Sequence, residues 1–188
     1  MLRKHLPAYL SYHSVAHTLD VLETALVIAG REGIRDDHKL ELLKTAALLH
    51  DTGFFETYQD HEEVSCQHAA VWLNDFGYVE EEIERVQAMI RATKVPQTPG
   101  DDPLAQILCD ADLDYLGRST FYDISERLFD EFQFMGFVRS EAAWYQMQLE
   151  FLDAHQYWTP SSRALREPTK ETYRQDIQRR LQNLLETG

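Results

Sequence analysis

The chain has 188 residues, a size at which a folded protein buries about 70% of the surface its extended form exposes; with 44% hydrophobic and 27% charged residues and only 8 Gly and 6 Pro, disorder over most of its length is excluded. A formal charge of −14 repels long polyanions, which argues against a nucleic acid polymer or an acidic membrane surface as partner and leaves a small anionic ligand only where a bound cation inverts the local sign. No run reaches the roughly 18 to 20 apolar residues of a membrane span. The start MLRKHLPAYLSYHS lacks an apolar signal core, and Cys66 and Cys109 lie far apart without a CxxC, so a soluble, reduced, cytoplasmic protein is expected.

Apolar residues recur at helical spacing and no stretch alternates as a strand would, so the fold class expected is all-α. From His13 to about Arg31 the residues Val15, Leu19, Leu22, Leu26 and Ala29 make one apolar stripe, stopped by Gly33. A second helix opens at an Asp36/Asp37 cap, runs through Leu40, Leu43, Ala47 and Leu48, and ends at His50, Asp51 and Gly53. Helices are predicted next over about 61–76, stopped by Gly77, and over 80–92. The loop VPQTPGDDP then carries three of the six prolines. A fifth helix is expected over about 104–115, ending at Gly117, and longer ones over 120–135, 140–155 and 169–185, with Thr159-Pro160-Ser161-Ser162 as a turn. One helical bundle over 1–188 is expected, with its chemistry in about 12–117 and a helical extension from about 120 to the end.

Three segments carry the chemistry. His13 and His17 stand four apart on a predicted helix, which places both imidazoles on one face. His50 and Asp51 close an apolar helix beside Leu48 and Leu49, where an unpaired charge is costly and a metal ion would serve both groups. In ILCDADLDYLG, Asp110, Asp112 and Asp114 crowd a helix C-terminus, where like charges oppose the helix dipole and call for something positive.

The stretch Tyr12-His13-Ser14-Val15-Ala16-His17-Thr18-Leu19-Asp20-Val21 resembles the YHNxxHxxDV opening of the HD-domain phosphohydrolases and of the related cyclic-nucleotide phosphodiesterases. Leu48-Leu49-His50-Asp51-Thr52-Gly53 resembles their LLHDxG motif, and Asp110-Ala111-Asp112 their distal DAD motif. The resemblance covers about residues 12–117 and not the C-terminal third. It implies that His17, His50, Asp51 and Asp112 ligate a divalent metal, that Asp51 orients a water and Asp112 helps take its proton, and that His13 protonates a leaving oxygen. Beyond these four it leaves two readings, one tightly held ion, or a second ion bound weakly by Asp51, His61, His68 and water. The expected His-His pair falls at Ile90-Arg91-Ala92-Thr93-Lys94, which holds no histidine, and this weakens a di-iron oxygenase reading.

Histidine and aspartate donors without thiolate suit Mn, Fe, Co, Mg, Zn or Ni and do not choose among them. Lys94, Arg118 and Arg163 are the candidates for holding a substrate phosphate, and Phe54, Phe55, Tyr58, Tyr115 and Trp144 for stacking a base. The function expected is hydrolysis of a small phosphate ester, a nucleotide or cyclic nucleotide on the resemblance alone. The alternatives are a non-catalytic nucleotide-binding HD module and the oxygenase. The C-terminal helices either close the pocket or form a homodimer surface.

Overall fold

The computed structural model describes residues 6–7 and 9–187. Among them are eight α-helices and no strand: α1 Val15–Arg31, α2 Asp37–Leu49, α3 His61–Asp75, α4 Glu80–Ala92, α5 Pro103–Asp112, α6 Phe121–Phe134, α7 Glu141–Ala154 and α8 Pro160–Thr187. Two short 3-10 turns, Thr52–Phe55 and Asp114–Gly117, follow α2 and α5. Among the described residues no helix is long and apolar enough to cross a membrane.

The caps explain several starts. Asp36 accepts from Lys39 N at 2.8 Å, and Asp102 accepts from Leu104 N at 2.9 Å with Pro103 in the first turn of α5. Ser14 accepts from His17 N at 3.4 Å, so α1 begins at Val15 and His13 lies outside the helix. The expectation that His13 and His17 share a helix face is therefore corrected: a turn ahead of the cap brings their rings to 6.0 Å. The fifth helix stops at Asp112 rather than near Tyr115, because the chain tightens into the second 3-10 turn.

The expected turn at Thr159-Pro160-Ser161-Ser162 is instead the start of α8. Thr159 Oγ1 accepts from Ser162 N at 3.3 Å, proline fits a first helical turn, and the helix continues through Pro168.

The main core is built by α1 to α5. Val21, Ala25 and Ile28 of α1, Leu42, Leu43 and Ala46 of α2, Met89 and Ile90 of α4, and Ile107 and Leu108 of α5 are all buried together. Each large aliphatic side chain there contributes about 1.5 to 3 kcal/mol by leaving water. A second cluster joins Tyr12 near the beginning of the chain to Leu116, Phe121, Leu152, Tyr157 and Ile177. Chain start and C-terminal helices thus meet beside the end of α5.

Two glycines permit the close approaches on which this depends. A Cβ at Gly53 would lie 1.9 Å from the His61 carbonyl oxygen, and one at Gly117 would lie 2.6 Å from Arg166. Gly53 also donates its N–H to buried Ser65 Oγ at 2.8 Å, which seats the turn after His50-Asp51 against α3. Gly53→Ala should cost about 1 to 3 kcal/mol or more, as overpacking does. Gly30→Ala, where a Cβ meets nothing within 4 Å inside α1, should be neutral or slightly stabilising. Urea midpoints of the two variants check this, and equal midpoints would contradict it.

Candidate metal centre

His17 comes from the first turns of α1, His50 and Asp51 from the end of α2, and Asp112 from the last position of α5. His17, His50 and Asp51 are buried and each places one ligand atom within 4.8 Å of the others. Asp112 Oδ1 joins them at 3.1 Å from His17 Nε2 and 3.5 Å from His50 Nε2. Asp51 Oδ1 stands 3.3 Å from His50 Nε2 and Oδ2 stands 3.4 Å from His17 Nε2. Despite this crowding, His50 Nε2 and Asp51 Oδ2 have no hydrogen-bond partner among the described residues. Buried polar atoms are seldom left so, and two opposed donors facing one point suit a cation between them.

The surroundings prepare His50 as a ligand. Its Nδ1–H donates to the Ala47 carbonyl at 2.8 Å, which orients the ring and turns Nε2 toward the carboxylates. Burial works against a charge on His50, but Asp51 and Asp112 outweigh it and lift its pKa to about 9. Burial likewise works against the charge of Asp51, yet His50, His61 and His17 hold its carboxyl well below the usual range. The donor set fits a divalent ion of the kind bound by imidazole and carboxylate.

The HD domain family model matches residues 15–114, more than half of the chain. The chain belongs to the HD domain family. Its structure is also similar to a predicted HD superfamily hydrolase from an uncultured Thermotogales bacterium, at 25% identity and a TM-score of 0.61 over 100% of this chain and 89% of that one. No curated protein matches. Family, neighbour and donor cluster together support a metal-dependent hydrolase.

The other aspartates of the DAD segment have work of their own in this HD protein. Asp110, fully buried, accepts from Trp158 N at 2.7 Å and from Thr159 N at 2.8 Å, and so ties α5 to the start of α8. Asp114 accepts from Arg166 Nε at 2.8 Å and from Arg118. Of the three, Asp112 alone turns to the histidines.

A cavity of about 570 Å³ opens beside the cluster, and His13, Asp51, His61, Lys94 and Asp112 all line it. His61 Nε2 is 3.5 Å from Asp51 Oδ1, with Nδ1 3.3 Å from the Tyr58 carbonyl, so it stands at the edge of the cluster. Lys94 is at the rim, but its ammonium is paired with Asp60. Phe54, Tyr58, Tyr115 and Trp144 reach the cavity and Phe55 does not.

Three expectations are corrected. Arg118 lies outside this cavity, because its guanidinium is held by Asp114, by both oxygens of Asp20 at 2.8 and 2.9 Å, and by Thr24. Arg163 is likewise elsewhere, spent on the carbonyls of Tyr157 at 2.9 Å and Trp158 at 2.6 Å. His68 is engaged apart from the cluster: its nitrogens meet Thr52 Oγ1 at 3.2 Å and Glu56 Oε1 at 2.9 Å, and its ring stacks on Trp72.

One group escaped the sequence reading. Glu131 of α6 is fully buried and accepts from His13 N at 2.9 Å and from the Tyr12 amide. Its other oxygen meets His13 Nδ1 at 2.7 Å and Tyr58 OH at 3.4 Å. The Phe54 ring packs against both His13 and His61, with centroids 4.3 and 3.8 Å away. His13 is therefore fixed from two sides, by a carboxylate and by an aromatic face.

Proposed function

We propose that this HD protein is a metal-dependent phosphohydrolase acting on a small phosphate ester, with nucleotides and cyclic nucleotides as the class its family resemblance favours. The observation that carries the reading is the convergence of His17, His50, Asp51 and Asp112 on one point, with His50 Nε2 and Asp51 Oδ2 buried and unpartnered there. These four residues would hold the ion. A bound divalent cation supplies a water of pKa lowered toward about 7 and positive charge for the phosphoryl oxygens.

The chain's own groups do the rest. Asp51 and Asp112 face the cavity and can orient the water and take its proton. His13 hydrogen-bonds Glu131 through Nδ1, which leaves Nε2 to pass a proton to the departing oxygen. Lys94 must exchange Asp60 for a substrate oxygen if it is to take part.

The test is a panel of phosphate monoesters, diesters, nucleotides and cyclic nucleotides, assayed with each of Mn, Fe, Co, Mg, Zn and Ni. Turnover with at least one metal, lost on chelation and regained on adding it back, is expected. Ligand binding without turnover in every metal would instead identify a binding module. Two irons per chain with oxygen uptake would identify an oxygenase.

A further inference from the structure

The cavity beside the metal centre has two unlike halves. The polar half belongs to the HD core and its neighbouring loops and carries four carboxylates, Asp51, Asp60, Glu62 and Asp112, against Lys94 as the one lysine or arginine of the lining among the described residues. The other half is built by the C-terminal helices. Trp144, Met147, Phe151 and Leu152 present one face of α7, and Leu128 and Phe132 one face of α6. Phe132 meets Trp144 and Phe137 edge to face at centroid separations of 5.5 and 5.6 Å, which makes the wall a packed aromatic surface. The one polar side chain these two helices give to the lining is Gln148, whose amide N–H donates to Ser125 Oγ at 2.6 Å.

That division constrains what fits. One phosphoryl group can be met by an ion at the cluster and by Lys94. Further phosphates would face carboxylates or the aromatic wall, where an uncompensated charge is expensive. A ring-bearing apolar group gains by leaving water, and about 570 Å³ lies within the range of small-molecule pockets.

Resting on the phosphohydrolase reading above, we infer that the preferred substrate is a phosphate monoester of a largely apolar, ring-bearing alcohol or phenol, selected by the aromatic wall of α6 and α7. Among nucleotides, monophosphates then rank above di- and triphosphates. In the reaction the oxygen of water bonds to phosphorus as the ester P–O bond breaks. Asp51 and Asp112 take one water proton, His13 gives its own proton to the departing alkoxide and regains one from solvent as the carboxylates release theirs, and the second water proton stays on the product, giving alcohol and hydrogen phosphate.

The experiment pairs binding with turnover. Methyl-, benzyl- and naphthylmethylphosphonate, which are not hydrolysed, are titrated calorimetrically into the metal-loaded protein alongside ATP, and the matching phosphate esters are assayed for kcat/KM. Affinity should rise by about 4-fold per buried methylene equivalent, so that the naphthyl ligand exceeds the methyl one by more than about 100-fold. ATP should bind more weakly than the naphthyl ligand. Trp144→Leu, and Phe137→Ala on a half-exposed ring that leaves the core alone, should each weaken the naphthyl ligand several-fold and leave methylphosphonate unchanged. Flat affinity along the series, or ATP binding tightest, overturns the inference. Hydrolysis at a rate indifferent to the apolar group overturns the preference and leaves the reaction standing. Graded binding without turnover in any metal overturns the reaction and leaves the binding preference.

Discussion

Asp51→Asn should release the metal while the protein stays folded. The carboxylate stands 3.3 Å from His50 Nε2, 3.4 Å from His17 Nε2 and 3.5 Å from His61 Nε2, so it is the one group that touches every imidazole of the centre. Asparagine keeps the size and removes the charge that a divalent ion requires. Metal content by mass spectrometry should fall from about one ion per chain to near zero after dialysis, and hydrolysis by roughly 10³-fold or more, exceeding the ~10² to 10³ lost with a single electrostatic donor in other active sites. Melting separates this from misfolding. At 100 times the dissociation constant, a bound ion stabilises by about 2.7 kcal/mol, which for a protein of this size raises the melting point by roughly 5 to 10 °C. The wild type should show that rise on adding metal, and Asp51→Asn should melt at one temperature with or without it.

Glu131→Gln should lower turnover without touching the metal. Glu131 receives two backbone N–H groups and His13 Nδ1 on a carboxylate with no exposed surface, and an amide there presents an N–H where the protein supplies donors. A loss of about 1 to 3 kcal/mol of stability is expected from the mismatch, and about 3 to 5 kcal/mol for Glu131→Ala, which strips the site of its buried charge. As a positioning residue it should affect kcat by about 10- to 100-fold, like other groups that orient a site residue, with KM and metal content unchanged. The signature that a merely structural role would not give is leaving-group dependence. If Glu131 positions His13 to protonate the departing oxygen, alkyl esters should suffer more than p-nitrophenyl phosphate, whose leaving group needs no proton. Equal losses on both substrates would remove His13 and Glu131 from the chemistry.

The parts of this site readable in the sequence are those written in local pattern. The apolar run ending in Leu48-Leu49-His50-Asp51 could not bury two ionisable groups without a partner, and the DAD segment repeated the problem on another helix. Their meeting at one point follows from α1, α2 and α5 sharing a core. Glu131 left no such trace. It is one acid in the helix Phe121–Phe134, 118 residues from His13, and only the packing of α6 against the chain start gives it a role.

Arg118 and Arg163 show the opposite error, since positive charge alone suggested them as phosphate holders. Their actual partners, Asp20 and Asp114 for one and two carbonyls for the other, are set by tertiary contacts that spacing does not reveal. The amphipathic pattern of the C-terminal helices was legible, but its target was not. An apolar face on α6 or α7 reads the same whether it packs on a core, a second subunit or a cavity, and here Phe132, Trp144 and Phe151 face a cavity.

Anomalous X-ray scattering from crystals of the protein carrying its co-purified metal, with data on both sides of the absorption edge of that element, tests whether the four side chains hold an ion. A peak is expected that is bounded by His17, His50, Asp51 and Asp112, at ligand distances of about 2.0 to 2.2 Å if the ion is zinc. A peak elsewhere on the molecule, or those four side chains joined only through water and protein hydrogen bonds, would contradict it.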